Sequence, residues 1–272
     1  MTHMGAAEAG LAYGSLELAA GEAHLWSAPD DIGIRLADAI SLLPPDERAT
    51  VARFISEKAA RSFVVGRLLA RLALSRHCRV RPQDWSFAPG LHGRPFIVAP
   101  EKHRDIQFSI SHTEGLVACL TSRTSLAAVD VERVTAWEDL PFVAPTVLSA
   151  KEQRSMEALG GGAWVRRFFE HWTLKEAYAK AVGVGLGCDF SLVSFELGPG
   201  CDVTAQFSDG VDDLASDWIF RRLALGPDWT GAVAAKTGPS KIWRLVHTEL
   251  ASDLLAREFL RVSQASSPAE SR

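Results

Sequence analysis

Along residues 48–81 the apolar positions Phe54, Phe63, Val64, Leu68, Leu69 and Leu72 recur at roughly helical spacing. Pro44, Pro45 and Asp46 stand just before them and suit the first turn of a helix. Gly90 and then Gly93-Arg94-Pro95 punctuate a turn. Residues 106–111 alternate apolar and polar and predict a strand; 117–121 and 126–131 predict two more. Pro141 and Pro145 bracket a linker-like stretch. A helix starts near Ser149 and runs to about Leu159, where Gly160, Gly161 and Gly162 break it. A stronger helix spans 164–182. The chain then turns β-rich at 191–197, 218–225 and 231–236.

Helix followed by strands occurs twice. That order predicts an α+β protein of two similar halves meeting near Ser125: an N-terminal half over 13–124 and a C-terminal half over 125–248. Residues 263–272 are polar, lack periodicity and read as a disordered tail.

Composition narrows the class. The 272 residues are 47% hydrophobic and 23% charged, as in an ordinary globular protein. A formal net charge of −4 excludes a basic coat for nucleic acid. No apolar run approaches the roughly 20 residues of a membrane helix, and the N-terminus lacks a secretory pattern. Cys78, Cys119, Cys188 and Cys201 lack zinc or redox spacing, so reduced thiols of a cytoplasmic protein are expected.

Three segments carry chemistry. In Val129-Asp130-Val131-Glu132 the two acids lie two apart on a strand and project to one face. In the segment from Trp172 to Lys180, Trp172, Glu176 and Lys180 lie four apart on one helix face, beside Lys175. Ser109-Ile110-Ser111-His112 places a histidine at a strand end. Asp130, Glu132 and Glu176 are hard oxygen donors suited to Mg²⁺, which joins protein carboxylates to substrate phosphates. Lys180 is placed to meet a phosphate. Residues 48–81 hold nine Lys or Arg against one acid, Glu57, an excess that asks for a local polyanion.

These motifs, in this order over residues 48–235, resemble those of 4′-phosphopantetheinyl transferases of the surfactin-synthetase-activating type. Gly93-Arg94-Pro95 resembles the family's Gly-Lys-Pro, and Ser109 to His112 its Ser-x-Ser-His. Ala128 to Glu132 resembles Gly-(Ile/Val)-Asp-x-Glu, and Leu148 to Glu152 resembles Phe-Ser-x-x-Glu. Trp172 to Lys180 resembles Trp-(Ser/Thr)-x-Lys-Glu-(Ala/Ser)-x-x-Lys. Ala128 for glycine and Arg94 for lysine are departures that remove no ligand.

The resemblance implies two half-domains related by a pseudo-twofold axis, with coenzyme A bound at their interface. It implies a metal held by Asp130, Glu132 and Glu176, transfer of phosphopantetheine to a carrier-protein serine, and release of 3′,5′-ADP. Lys180 and His112 then contact the reacting phosphates, and Lys175 orients a carboxylate or phosphate. Glu152 is preferred over His112 as general base. Arg61, Ser62 and Arg94, with Arg48 and Arg53, hold the nucleotide; Ser111 belongs with His112. The expected partners are coenzyme A and an acyl or peptidyl carrier protein, received on an apolar surface drawn from Trp137, Leu140, Phe142 and Met156. A monomer that binds neither nucleic acid nor membrane is expected. The alternative is a non-catalytic coenzyme A or carrier-binding protein of the same fold.

Overall fold

The computed structural model describes residues 2–4, 14, 16–90, 93–124, 126–238 and 243–264. The chain divides into two compact units, one of Met1–Ser125 with Arg244–Arg272, the other of Leu126–Trp243.

The first unit runs β1 (Thr2–Met4), β2 (Glu22–Ala28), α1 (Leu36–Ser41), α2 (Pro45–Val51), α3 (Glu57–His77), β3 (Ser86–Pro89), β4 (Pro95–Ala99), β5 (Gln107–Thr113) and β6 (Leu116–Ser122). Helix α3 starts where the Ser56 hydroxyl accepts the Ala59 N–H, and Arg76 occupies its last turn, where a cation suits the helix dipole. Its apolar side, with Val64, Leu68, Leu69 and Leu72, is wholly buried in a core shared with Trp26, Phe108 and Val117. At Gly66 a Cβ would stand 3.0 Å from Ile110 Cγ2, so glycine lets the helix close on β5. β3 and β4 form a separate hairpin.

The second unit runs β7 (Ala127–Arg133), α4 (Leu140–Val147), α5 (Ala150–Met156), α6 (Gly161–Val182), β8 (Val193–Leu197), β9 (Val203–Phe207), β10 (Trp218–Leu223) and β11 (Trp229–Lys236). Its antiparallel sheet has the order β10-β11-β7, and β8 pairs with β9 apart from it. Helix α6 covers the sheet through small residues: Ala177 and Ala181 pack with Ala128, Ala232 and Ala234 in one core. Gly183, at φ +76°, ends α6 by giving its N–H to Ala179 O. The chain then returns as β12 (Arg244–Glu249) and α7 (Ser252–Gln264). β12 joins the first unit's sheet, whose order is β1-β12-β2-β6-β5.

Three expectations are corrected here. The second unit ends at Trp243 rather than 248, because β12 pairs in parallel with β2 and β1. The linker-like stretch is helix α4: Pro141 sits in its first turn, where proline needs no partner for its missing N–H, and Pro145 is tolerated near its end. Of the expected tail, residues 263 and 264 belong to α7, and the rest lies outside the described residues.

Candidate functional site

In the second unit, β7 is buried along both faces from Ala127 to Val131, which takes in Asp130, and Glu132 beyond it is half-buried. Asp130 is 3% exposed. Small side chains on β7, β11 and α6 let the helix lie close to the strand, and this brings the Trp172–Glu176–Lys180 stripe onto the acids. Lys180 Nζ donates to Asp130 Oδ1 at 2.6 Å, and Trp172 Nε1 donates to Glu132 Oε1 at 3.2 Å. Burial pushes the Glu176 carboxyl above the usual carboxylate range, and the negative charge of Asp130 pushes it the same way. Burial works against the charged form of Lys180, but Asp130, and then Glu176 and Glu132, outweigh it and raise its ammonium.

Asp130, Glu176 and Glu132 all face the Lys180 ammonium. Glu176 Oε1 is buried and has no hydrogen-bond partner. Hard oxygen donors, one of them buried and unused, fit a divalent cation. As they stand, the described residues contain no cluster of three or more His, Cys, Asp or Glu side chains gathered to metal-binding distance.

Beside Glu132 opens a pocket of about 240 Å³ walled by Trp137, Val143, Phe168, Phe169 and Trp172. Trp137 and Phe142 are exposed, whereas Leu140 and Met156 belong to the core. Of the four residues expected on an apolar surface, only the first pair can supply one.

Glu152 and Lys175 stand away from this chemistry. Neither side chain has exposed surface, and Lys175 Nζ lies 2.7 Å from Glu152 Oε2. Burial alone would raise the Glu152 carboxyl, but the adjacent His171 imidazole and the charge of Lys175 hold it down at about 2. Glu152, expected as general base, and Lys175, expected as a cofactor contact, are thus buried against each other. His171, 1% exposed, completes this cluster and carried no signal in the sequence.

The first unit holds the remaining candidates. Arg61 and Ser62 lie in the opening turns of α3, and Ser111 and His112 near the end of β5. Lys58 Nζ reaches Glu114 Oε2 at 2.5 Å, so these two ends adjoin. His112 is exposed, whereas Ser62 and Ser111 are buried. Arg94 sits in the β3–β4 turn, its guanidinium lowered by burial. Arg48 and Arg53 are exposed on α2 and the loop after it.

Part of the basic excess of 48–81 is met by acids from elsewhere. Arg71, 1% exposed in its side chain, pairs with Glu47 at 2.9 Å, and the buried Arg76 pairs with Glu258 at 2.6 Å. Arg67 also faces Glu47, and Arg81 pairs with Asp84. Among the described residues no helix is long and apolar enough to cross a membrane.

Carboxylates and a lysine thus meet on β7 and α6, with an aromatic pocket beside Glu132, and comparisons with known proteins name the family of the chain. Residues 127–234 match the model of the 4′-phosphopantetheinyl transferase superfamily, and residues 28–124 match that of the 4′-phosphopantetheinyl transferase N-terminal region. The chain is 30% identical over 173 residues to 4′-phosphopantetheinyl transferase HetI of Nostoc sp., covering 63% of this chain and 73% of that one. It is 29% identical over 210 residues to 4′-phosphopantetheinyl transferase pptA of Paxillus involutus, covering 70% and 77%. To the human L-aminoadipate-semialdehyde dehydrogenase-phosphopantetheinyl transferase it is 22% identical over 215 residues, covering 73% and 68%. The chain belongs to the 4′-phosphopantetheinyl transferase superfamily, and it is an enzyme that transfers phosphopantetheine to carrier proteins.

Proposed function

We propose that this enzyme moves the 4′-phosphopantetheine group of coenzyme A onto a serine hydroxyl of an apo acyl or peptidyl carrier protein, releasing 3′,5′-ADP. In this reading it is a cytoplasmic monomer of the surfactin-synthetase-activating type and uses Mg²⁺. The observation that carries the reading is the convergence of Asp130, Glu132 and Glu176 on Lys180, with a buried oxygen of Glu176 that has no hydrogen-bond partner.

Phosphoryl transfer needs positioning and charge neutralisation more than covalent help from the protein. Asp130, Glu132 and Glu176 hold the metal, which when bound neutralises charge on the diphosphate. Lys180, anchored by Asp130, meets an oxygen of the phosphate under attack as a point charge. Arg61 and Arg94, with Arg48 and Arg53, bind the 3′-phosphate of the nucleotide. The serine oxygen bonds to the β-phosphorus, the bond from that phosphorus to the adenosine-side phosphate oxygen breaks, and 3′,5′-ADP leaves with the electron pair. His112 is the general base for the serine proton. It is the exposed member of the two candidates, and a base has to come within hydrogen-bond reach of the hydroxyl. The pantetheine arm, leaving the phosphates beside Glu132, enters the aromatic pocket. Trp137 and Phe142 offer the carrier an apolar surface.

Incubation with coenzyme A, Mg²⁺ and an apo carrier, followed by weighing the carrier, tests the reading. The carrier gains the mass of phosphopantetheine, and Glu176→Gln abolishes the gain while the protein stays folded. Full turnover by that variant removes Glu176 from the metal site. Tight coenzyme A binding with no turnover on any carrier favours a pure binding protein.

A further inference from the structure

Glu152, His171 and Lys175 form a closed charge cluster inside the second unit that the transfer chemistry leaves unused. Both oxygens of Glu152 are taken up. Oε2 accepts the Ser149 N–H at 2.7 Å and lies 2.7 Å from Lys175 Nζ. Oε1 accepts the Phe195 N–H at 2.8 Å and lies 3.2 Å from His171 Nδ1. Lys175 directs its other donors to the carbonyls of Phe190 and Val193, each at 2.7 Å. The cluster therefore ties together the start of α5, the strand β8, the turn before it and the middle of α6. A general base needs a lone pair that the hydroxyl can reach. Glu152, with no exposed side-chain surface and four donors around it, offers none.

Position along α6 gives the cluster a task. His171 and Lys175 lie four apart and share one face. Trp172, Glu176 and Lys180 form the adjacent stripe, one residue further on and about 100° around the helix. A rotation or slide of α6 that breaks the Glu152 contacts therefore also moves Glu176 and Lys180 off Asp130 and Glu132.

From these contacts we propose that Glu152 is a positioning residue: closed by Lys175 and His171, it locks the rotation and height of α6 and so sets the aim of Glu176 and Lys180. The assignment rests on the reading that Glu176 and Lys180 act on the phosphates.

A double-mutant cycle of Glu152→Gln, Lys175→Met and both together, read as kcat and KM in the carrier-mass assay, tests it. A lock predicts that each single variant loses about 10–100-fold in kcat, because each leaves a buried group without its partner. The double variant then recovers about tenfold over Glu152→Gln, since removing both charges of a buried pair is tolerated better than removing one. A general base predicts instead that Lys175→Met stays near wild type and that the double variant is as inactive as Glu152→Gln; that pattern overturns the lock. Carbodiimide labelling of the folded wild-type protein needs no variant and decides the matter if the variants unfold. Glu152 stays unlabelled while the exposed Glu138 reacts, and labelling of both at equal rates overturns the lock. An inactive wild type, or a fully active Glu176→Gln, overturns the transferase site instead and leaves the labelling pattern of Glu152 unchanged.

Discussion

Lys180 Nζ stands 2.6 Å from Asp130 Oδ1, and this contact joins the last turn of α6 to the middle of β7. The two residues are 50 positions apart in the chain. The pair gives Asp130 a counter-charge and fixes the Lys180 ammonium over β7, where the proposed reaction puts phosphate oxygens. Lys180→Met is expected to lower kcat about 10²–10³-fold, the scale for losing one preorganised charge contact. Divalent cation binding, followed as a rise in Tm with added Mg²⁺, is expected to persist, because all three carboxylates remain. Loss of the Mg²⁺ response together with activity would place Lys180 in cation binding rather than phosphate handling.

Trp172 Nε1 donates to Glu132 Oε1 at 3.2 Å and so orients this carboxylate. Partners of this kind typically contribute 10–100-fold in metal affinity. Trp172→Phe keeps the ring packing and removes the donor. Calorimetric titration with Mg²⁺ or Mn²⁺ is expected to show at least tenfold weaker binding. Equal affinity in both proteins rules out an orienting role for the indole.

Gly231 on β11 lies opposite Val131, and a Cβ there would stand 2.8 Å from the Asp130 carbonyl oxygen. Backbone cannot yield as a flexible side chain can. Overpacking of this kind costs about 1–3 kcal/mol. Gly231→Ala is therefore expected to lower Tm by several degrees and to shift Asp130, weakening the Mg²⁺ response as well. A variant with unchanged Tm would show that the strands can part at no cost.

Burial, with His24 and Arg123 nearby, lowers the His77 imidazole from 6.5 to about 4. The unfolded chain takes up this proton first as the pH falls. The stability held by neutral His77 is complete above about 6.5 and declines as the pH drops toward 4. The loss amounts to up to about 3 kcal/mol. Glu152, lowered from 4.5 to about 2, adds a second decline below about 4.5 by the same sign. Urea unfolding at a series of pH values is expected to show both stages. His77→Phe is expected to flatten most of the first, with His24, also lowered by burial, accounting for the remainder. A first stage of unchanged depth in that variant would assign it elsewhere.

Much of this protein was legible in local pattern. The four-residue spacing of Trp172, Glu176 and Lys180 and the two-residue spacing of Asp130 and Glu132 each define a face without reference to anything distant. Those faces meet in the structure. The 3.6-residue period of α3 and the alternation of β5 likewise followed from residues close in sequence. Prolines misled at α4, because Pro141 in a first turn looks the same in sequence as a proline that breaks a helix.

What the sequence determined by itself was the set of chemical groups and the short elements that carry them, since periodicity and capping are local. Tertiary structure alone decided which charges are used up. The counter-charges of Arg71 and Arg76 are Glu47 and Glu258, the latter 182 residues from its partner. Glu152 turned from a candidate base into a buried partner of Lys175 and His171 for the same reason. The return of β12 to the first sheet is equally non-local. Burial and ion pairing depend on what surrounds a group in space, and chain distance carries no information about that.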